Sequence, residues 1–437
     1  MFASREPFIV KRKVLFSNPG CAPFAQHAAR ALHETGLLEA YVTSFNYRPE
    51  GLLGGSLRLL LRARHGDPER QLARRSITEV PHDVVRSHTM PELLRMLPIM
   101  AGLGPSACDL VWEQTEKWFD RIVARQHVNG AAAVYAYEHA ALETFRAQKA
   151  RGGFCIYEQP TTHYLTTAEI LDTEFELYPE AETAHDRHLR KLRPRRDQRK
   201  HEELQLADLV IVYSTFSKRS LMRAGIPEDR IRVVPLGAPA PVSTIQEDRK
   251  EPFIFLSAGN QTVRKGVHYL LEAWRKLAPG GDVELWLVGR MSVPPRLLAD
   301  LPGRVVMRSS VPRAELFEIY QRASVLVLPS LGEGFGMVIT EALANGVPVI
   351  TTNNTAGPDF IRPGENGFLV PIRDSEILAE TMQWCIDHRD DVVAMGREAA
   401  SAAARWQWSD HRRALAAAVR GFLCDSSPHL LATATAS

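Results

Sequence analysis

The chain has 437 residues, 45% of them hydrophobic, with 53 basic against 51 acidic side chains. That length exceeds one typical domain, and we expect two domains with separate cores. The net charge of +2 gives no reason to expect a nucleic-acid-binding protein. No apolar run approaches the roughly 18 residues of a membrane-spanning helix, and the first residues lack the apolar segment of a signal peptide.

The cysteines are odd in number, widely spaced and without a Cys-x-x-Cys pair: Cys21, Cys108, Cys155, Cys385 and Cys424. This pattern predicts reduced thiols and argues against a zinc site. We therefore expect a cytoplasmic protein.

The first half alternates between predicted strands and helices. Residues 13–17 predict a strand, and the Asn18-Pro19-Gly20 turn leads into an amphipathic helix that ends near residue 35. Further elements are a helix at 140–150 and strands at 131–137, 153–157 and 207–213. This alternation indicates a parallel, doubly wound sheet. A proline-rich stretch followed by polar residues to about 250 predicts a linker, and hence a first domain of residues 1–245.

The second half repeats the pattern, with strands at 253–257, 283–288, 305–307 and 323–328, and helices at 266–277, 313–321 and 337–344. We expect a second domain of residues 246–405, a last helix at 406–425 and a flexible tail at 426–437. Ligands of such sheets bind at the carboxyl ends of the strands.

A glycine-rich turn between strand 323–328 and helix 337–344 carries two glutamates, Glu333 and Glu341. Gly334 and Gly336 let the backbone approach an anion, and the helix start favours a diphosphate. Glu333 is placed to accept hydrogen bonds from sugar hydroxyls, and Glu341 to bind the hydroxyls of a ribose. The alternative for such a pair is two solvated helix charges.

Residues 323–350 resemble the nucleotide-sugar signature of retaining GT-B glycosyltransferases of the large Glu-x7-Glu family, glycosyl transferases group 1 (family 4). The motif matches at Glu333 and Glu341, with Gly334, Phe335 and Gly336 in place and Met337 opening the helix. The resemblance implies an α/β GT-B fold, in which two doubly wound Rossmann-like domains face each other across a cleft. It also implies that the first domain binds the acceptor and the second the nucleoside-diphosphate sugar, with no metal and no cofactor. The resemblance further implies that the last helix, 406–425, crosses back to the first domain.

The loop 259–266 ends in two adjacent cations, Arg264 and Lys265, which are able to stabilise charge on a leaving diphosphate. Cations are poorly placed at the positive end of a helix unless an anion joins them. The alternative is an exposed basic pair at a helix start. The loop resembles the Arg/Lys diphosphate clamp of the family, although Asn260 stands where many members carry an arginine.

Other candidates follow predicted strands. Gly289, Arg290 and Val311 are expected to contact the donor, the last two near its base. Gly20 resembles the first loop of the family, which approaches the donor phosphates, but a plain turn is an equal alternative. His163 lies near the position where relatives carry a histidine facing the reacting sugar, and the alternatives for that position are His139 and Glu158 or Gln159.

Two basic stretches, 52–75 and 187–200, are compatible with peripheral contact with an anionic membrane at its inner face. The alternatives are solvated faces or contact with an acidic acceptor. We expect a cytoplasmic enzyme that moves a sugar to a hydroxyl of a saccharide, lipid-linked or small-molecule acceptor. The alternatives are a GT-B epimerase acting on the nucleotide sugar, and a catalytically degenerate protein that binds carbohydrate or a partner.

Overall fold

The computed structural model describes residues 13–48, 75–242 and 252–425. These residues form two compact units. Unit 1 holds the described residues before Gln159, together with Leu192–Ile211 and those from Arg412 onward, and unit 2 holds the described residues of Gln159–Lys191 and Val212–His411. The predicted domain boundaries at 245 and 405 stay predictions. The polar stretch 243–250, the tail 426–437 and residues 52–74 of the first basic stretch lie outside the described residues.

The first sheet has seven strands in the order β3-β2-β1-β4-β5-β6-β7. Its strands are β1 (Val14–Ser17), β2 (Leu38–Thr43), β3 (Val85–Ser87), β4 (Ala133–Tyr137), β5 (Phe154–Gln159), β6 (Leu209–Val212) and β7 (Ile231–Val233). The pairs from β3 through β5 are parallel. Every residue of β1 and β4 is buried, as expected for strands that are covered on both faces.

Helices connect these strands, as parallel pairing requires. They are α1 (Pro23–Glu34), α2 (Thr89–Met100), α3 (Pro105–Gln126), α4 (Leu142–Lys149), α5 (Tyr164–Leu177), α6 (Ala184–Leu206) and α7 (Thr215–Arg223). Ser214 caps α7 by accepting from the Ser217 amide. Helices α2 and α3 were not predicted, and Pro98 interrupts the helical pattern of α2.

The second sheet has six parallel strands in the order β10-β9-β8-β11-β12-β13. They are β8 (Phe253–Ala258), β9 (Val283–Val288), β10 (Arg304–Arg308), β11 (Val325–Leu328), β12 (Val349–Thr352) and β13 (Gly367–Val370). Its helices are α8 (Val267–Leu277), α9 (Arg313–Arg322), α10 (Met337–Ala344), α11 (Gly357–Phe360), α12 (Ser375–Asp387) and α13 (Arg389–Ala404). The last helix, α14 (Trp408–Asp425), belongs to unit 1 from Arg412 onward.

Two apolar clusters cover the two faces of the second sheet. One contains Phe253, Phe255 and Trp274, and the other contains Ile254, Leu256 and Tyr320. Alternate residues of β8 therefore point to opposite faces, which is the period of a strand. The predicted α/β class with two parallel sheets is confirmed, and helix 337–344 has the predicted bounds.

Candidate functional site

The site lies where the winding of the second sheet reverses. The chain runs outward from β8 to β9 and β10, and from β11 to β12 and β13 on the other side. The loops that follow β8 and β11 therefore start side by side at the carboxyl edge, where such folds bind ligands. The two loops are joined by hydrogen bonds from the Leu331 amide (2.9 Å) and the Ser330 hydroxyl (3.3 Å) to the carbonyl of Arg264.

The loops after β8 and β9 are also in backbone contact. The Gly259 amide donates a hydrogen bond to the Val288 carbonyl, and the Gly289 amide donates to the Arg308 carbonyl at 2.8 Å. Gly289 has a φ of 132°, and a Cβ there would lie 2.0 Å from the carbonyl oxygen of Gly259. Only glycine therefore allows this approach, which brings the predicted donor residue Gly289 to the edge of the loop 259–266.

Gln261 braces the same loop. Its side chain accepts from the Ser257 hydroxyl and donates to the carbonyl of Gly259, both at 3.1 Å. Its backbone amide donates to the backbone carbonyl of Arg290 at 2.8 Å. Asn260 and Arg290 are exposed beside it, whereas Gln261 is buried. Sequence reasoning missed Gln261, because a glutamine in a polar loop has no distinguishing local pattern.

The Gly334 turn fits tightly against the chain that follows β5. A Cβ on Gly334 would lie 1.9 Å from the carbonyl oxygen of Pro160. The carbonyl of Gly334 accepts hydrogen bonds from the hydroxyls of Ser214 (2.7 Å) and Ser217 (3.0 Å). Both serines belong to the start of α7, so two other segments of unit 2 hold the turn in one conformation.

The residues beside Gly334 are held in the same way. The Glu333 amide donates to the backbone carbonyl of Asn354, and the Ala356 amide donates to the Phe335 carbonyl, both at 2.9 Å. Phe335 is buried against the ring of Phe360. The turn is therefore a rigid platform whose side chain at 333 and backbone at 334–336 have defined positions.

Both predicted cations lie beside Glu333. The Arg264 Nη1 atom lies 3.3 Å, and the Lys265 Nζ atom 3.7 Å, from Oε1 of Glu333. Burial acts to raise the pKa of Glu333, but attraction to Arg264 and Lys265 outweighs it and holds the pKa below its ordinary value. Arg264 Nη1 also donates to the carbonyl of Gly332 at 2.5 Å. The structure therefore assembles two cations and one ionised carboxylate at the carboxyl edge of the sheet.

Glu341 lies farther along α10 and has different partners. Its Oε2 atom accepts from the Tyr320 hydroxyl at 3.2 Å, and its Oε1 atom lies 3.9 Å from Arg313. Burial raises its pKa, and Arg313 and the Tyr320 hydrogen bond oppose that rise. Tyr320 and Arg313 were not singled out from the sequence, although they lie seven residues apart on α9 and therefore share a face.

The N-terminus of α10 carries no side-chain cap. Gly336 is the N-cap residue with a φ of 88°, and Met337 is the first helical residue. The first-turn amides and the positive end of the helix dipole lie directly after Glu333. Half-buried Val311 belongs to the loop after β10, so it shares the carboxyl edge of the sheet.

A buried ionic cluster anchors α5 to α8. Glu174 on α5 lies 2.9 Å from His268 Nε2, accepts from the Tyr269 hydroxyl at 3.0 Å and is paired with Arg373. Burial acts to raise the pKa of Glu174, but His268 and Arg373 lower it below its ordinary value. His268 lies just after the loop 259–266, which carries Arg264 and Lys265, and α5 follows the segment that contacts Gly334. The cluster therefore fixes the position of that segment relative to the two cations.

His163 is the N-cap residue of α5. Its side chain is only 2% exposed, its Nδ1 atom accepts from the Leu165 amide at 3.3 Å, and its own amide donates to the Ser220 hydroxyl. The imidazole therefore has a structural role in unit 2, where Gln159 is also buried.

The other two candidates for that position, His139 and Glu158, are buried in unit 1. Burial, reinforced by nearby cations such as Lys200, lowers the pKa of His139 to about 3, so its imidazole is neutral. Its amide donates to the Glu203 carboxylate at 2.8 Å, and its carbonyl accepts from Arg199 at 2.9 Å.

Gly20 lines a cavity of about 580 Å³ in unit 1. Its amide donates to the Asn18 side chain at 2.7 Å. Two arginines lie on the wall, and the buried carboxylate of Glu92 pairs with both: Arg75 at 2.7 Å and Arg95 at 2.9 Å. The cavity therefore presents amides, hydroxyls and two guanidinium groups. Glu92 already neutralises part of the charge of these guanidinium groups.

Within the described residues, no three metal-ligating side chains of the His, Cys, Asp or Glu type come together. In the same residues, no helix is both long and apolar enough to cross a membrane.

Residues 252–388, which contain the whole second-sheet site, match the model of the family glycosyl transferases group 1. The match covers the part of the chain that carries Arg264, Lys265, Glu333 and Glu341. The Glu-x7-Glu resemblance therefore falls inside a matched family region.

Over 198 residues the chain is 29% identical to an MMP alpha-(1->4)-mannosyltransferase of Mycolicibacterium hassiacum. The aligned region covers 44% of this chain and 48% of the relative. The chain thus spans about half the length of that curated relative. Two solved structures extend the likeness to the fold of nearly the whole chain, each with a TM-score of 0.59 and coverage of 94% of this chain and 99% of the other. They are the apo lipopolysaccharide outer core galactosyltransferase WaaB, at 14% identity, and Anabaena HepE with UDP and glucose, at 16%. The fold is GT-B, as predicted.

Proposed function

We propose that this protein is a retaining glycosyltransferase that moves a hexose from a nucleoside diphosphate to a hydroxyl acceptor. The observation that carries the proposal is the meeting of Arg264 and Lys265 with Glu333 at the switch point of the second sheet. A glycosyl donor has a negative diphosphate between a polar sugar and a ribose, and this edge of the sheet offers complementary groups for all three parts.

The donor would lie along the Gly334 turn and α10. The amides of 334–337 and the helix dipole would hold the diphosphate, and Glu341 would accept hydrogen bonds from the ribose. Glu333 would orient the sugar from the other end of the turn. Gly289, Arg290 and Val311 would flank the base, since the loops after β9 and β10 lie at the same edge. Asn260 would reach the phosphates in place of the usual arginine.

Bond cleavage would proceed on one face of the sugar. The acceptor oxygen forms a bond to the anomeric carbon while the bond from that carbon to the phosphate oxygen breaks, and the leaving phosphate takes the acceptor proton. Lys265 and Arg264 would stabilise the charge that grows on the diphosphate. This route needs no protein nucleophile, and the two cations would replace a metal ion.

The acceptor would bind to unit 1, where Gly20 lines a cavity. The mannosyltransferase relative and the HepE complex with UDP and glucose support a sugar transfer in which UDP is the first nucleotide to test. A saccharide, a lipid-linked saccharide or a small hydroxyl compound remains open as the acceptor. His163 would act through the position of α5, whose preceding loop contacts Gly334.

We propose a cytoplasmic protein with peripheral membrane contact, but the charges of 187–200 lend this contact little support. This stretch lies in α6, and at least six of its eight cations have acidic partners within 4 Å. They are Arg187 and Arg190 with Glu182, Arg195 and Arg196 with Glu113, Arg199 with Asp120, and Lys200 with Glu138. Their charge is therefore largely compensated within the protein.

Calorimetric titration with UDP, GDP, ADP and dTDP tests the donor site. We expect one nucleotide to bind clearly more tightly, without Mg²⁺ and in the presence of EDTA, and its sugar conjugates then enter transfer assays in which NMR reads the anomeric configuration. Binding of no nucleotide contradicts the proposal. Isomerised donor in the absence of acceptor would favour an epimerase, and binding without transfer to any acceptor would favour a degenerate binding protein.

A further inference from the structure

The helical hairpin formed by α2 and α3, residues 89–126 of unit 1, exposes an unusual amount of apolar surface. Among the described residues, twelve large hydrophobic side chains are exposed, and seven of them lie on this hairpin: Met90, Leu94, Leu97, Ile99, Leu103, Leu110 and Trp118. Concentration on one element marks an interaction surface, whereas scattered apolar side chains need no explanation.

The outward face of α2 is apolar and uncharged. Met90, Leu94 and Leu97 recur at the i, i+4 and i+7 positions of one helix face, and Leu97 is 56% exposed. The two charged residues of α2 are Glu92 and Arg95, which lie 2.9 Å apart, and Glu92 is buried. No charged side chain of α2 therefore opposes removal of this face from water.

Backbone hydrogen bonds close the turn between the helices. The Leu103 amide donates to the Pro98 carbonyl at 2.9 Å, and the Ala101 amide donates to that of Leu97 at the same distance. Gly102 has a φ of 68°, as is usual just after a helix end. Leu103, which is 53% exposed, is thus held at the tip of the hairpin.

Helix α3 separates its charges by face. Asp109, Glu113 and Asp120 lie on the packed face and pair with cations at 2.5–2.7 Å: Asp109 with Arg196, Glu113 with Lys117 and Arg195, and Asp120 with Arg199. A separate, exposed stripe consists of Leu110, Gln114, Trp118, Arg121 and Arg125. At 100° per residue these five positions fall within about 80° of one another.

This stripe changes from apolar to cationic along the helix. Leu110 lies near the tip, Trp118 about 12 Å farther along the axis, and Arg121 about 4 Å beyond it. Neither Arg121 nor Arg125 has an acidic partner among residues 13–48, 75–242 and 252–425. Both line a surface cavity of about 450 Å³ together with Trp118, Ile122 and Gln126.

We infer that the α2–α3 hairpin docks on a lipid bilayer with anionic headgroups. The apolar tip around Leu97 and Leu103 would enter the boundary of the acyl chains, Trp118 would lie at the interface, and Arg121 and Arg125 would contact lipid phosphates. This order of apolar, tryptophan and arginine side chains matches the polarity profile of a membrane surface. The inference is independent of the donor site.

Vesicle co-sedimentation of the full chain tests the inference, using phosphatidylcholine vesicles with or without 30% phosphatidylglycerol. We expect the wild type to bind the anionic vesicles. Leu97→Gln and Leu103→Gln should each weaken this binding about tenfold, because each removes an isobutyl group that docking would bury in the bilayer. Arg121→Gln and Arg125→Gln should each cost roughly fivefold at low salt and less at high salt. Leu177→Gln, at a similarly exposed leucine of α5, is the matched control and should bind as the wild type does.

Brominated lipids should quench tryptophan fluorescence in the wild type, and this quenching should fall in Trp118→Phe. Lys265→Ala should keep vesicle binding, which separates this surface from the donor site. Unchanged melting temperatures would show that the variants fold. Wild-type protein that ignores anionic vesicles, or undiminished binding by the Leu97→Gln/Leu103→Gln double variant, overturns the inference. It is also overturned if these substitutions abolish a dimer in sedimentation velocity without altering vesicle binding.

Discussion

The guanidinium of Arg264 lies 3.3 Å from the carboxylate of Glu333, and its Nη1 atom also donates to the neighbouring carbonyl of Gly332. The two residues follow different strands, β8 and β11, which are neighbours at the centre of the second sheet. The contact fixes a cation and a carboxylate at the end of a ligand site before any ligand binds. Such preorganisation is the condition under which electrostatic groups lower a reaction barrier most.

Replacement of Lys265 by alanine should lower kcat by about 10²–10³-fold, because a group that stabilises the leaving diphosphate is lost. Steady-state kinetics measures the rate, and thermal melting measures the stability. We expect only a small change in Tm, because Arg264 still pairs with Glu333. Lys276→Ala, which removes a cation from the other end of α8, is the control and should retain the wild-type rate. A wild-type rate for Lys265→Ala would refute its role.

Glu341→Gln should weaken nucleotide binding by about 10- to 100-fold, the cost of exchanging a charged hydrogen-bond acceptor for a neutral one. The fold should persist, because the Tyr320 hydroxyl retains an acceptor in glutamine. Calorimetry with the preferred nucleoside diphosphate measures the affinity. Glu315→Gln on α9 removes an exposed carboxylate and should bind normally. Equal affinities for both variants would rule out ribose binding by Glu341.

Gly334→Ala should destabilise the protein by about 2 kcal/mol or more, because its Cβ would overlap the backbone oxygen of Pro160. Transfer activity should fall with it, since the turn must move to relieve the overlap. Urea unfolding measures the stability. Gly280→Ala, at a site where a Cβ meets nothing within 4 Å, should leave both properties nearly unchanged. A stable and active Gly334→Ala enzyme would disprove the close packing of the turn.

His163→Ala should cost about 1 kcal/mol of stability through the loss of a helix cap. His163→Asn should restore most of that stability, because asparagine is a good N-cap residue. Comparing kcat of the two variants then separates the cap from any contact with the sugar. Full activity in His163→Asn assigns a positioning role, whereas an inactive but stable His163→Asn protein would require a direct role for the imidazole.

Glu116 should make unit 1 less stable as the pH rises towards neutrality. Burial raises its pKa to about 7 against the opposing attraction of Arg95, which lies 3.5 Å away. Because the folded-state pKa exceeds the unfolded value, the stabilisation is complete below about pH 4.5 and is lost as the pH rises through about 7. The change is on the order of 3 kcal/mol.

Glu116→Gln keeps the neutral form at every pH. Urea unfolding should therefore find the variant close to the wild type at pH 5 and more stable than the wild type at pH 8. Identical pH profiles would contradict the raised pKa. Glu79→Gln, at a half-buried carboxylate of the same unit, serves as the control.

The sequence by itself predicted the alternation of strands and helices, the turn at 332–336 and helix α10 with its observed bounds. These features depend on apolar periodicity, glycine positions and cap residues, which act within a few residues of chain. The same local signals mark Glu333, Glu341, Arg264 and Lys265 as candidates. They fail for α2, whose internal Pro98 is tolerated because packing against α3 compensates for the lost hydrogen bond.

Only the tertiary structure decided which of these residues meet. Tyr320 contacts Glu341, Ser214 contacts Gly334, and the cations of α6 face the acids of α3 because strand order and helix packing bring distant segments together. The basic run 187–200 is thereby largely neutralised, while the unpredicted α2–α3 hairpin displays apolar side chains and two arginines without acidic partners in the described chain. Contacts between distant residues depend on the whole packing arrangement, so no local window of sequence contains them.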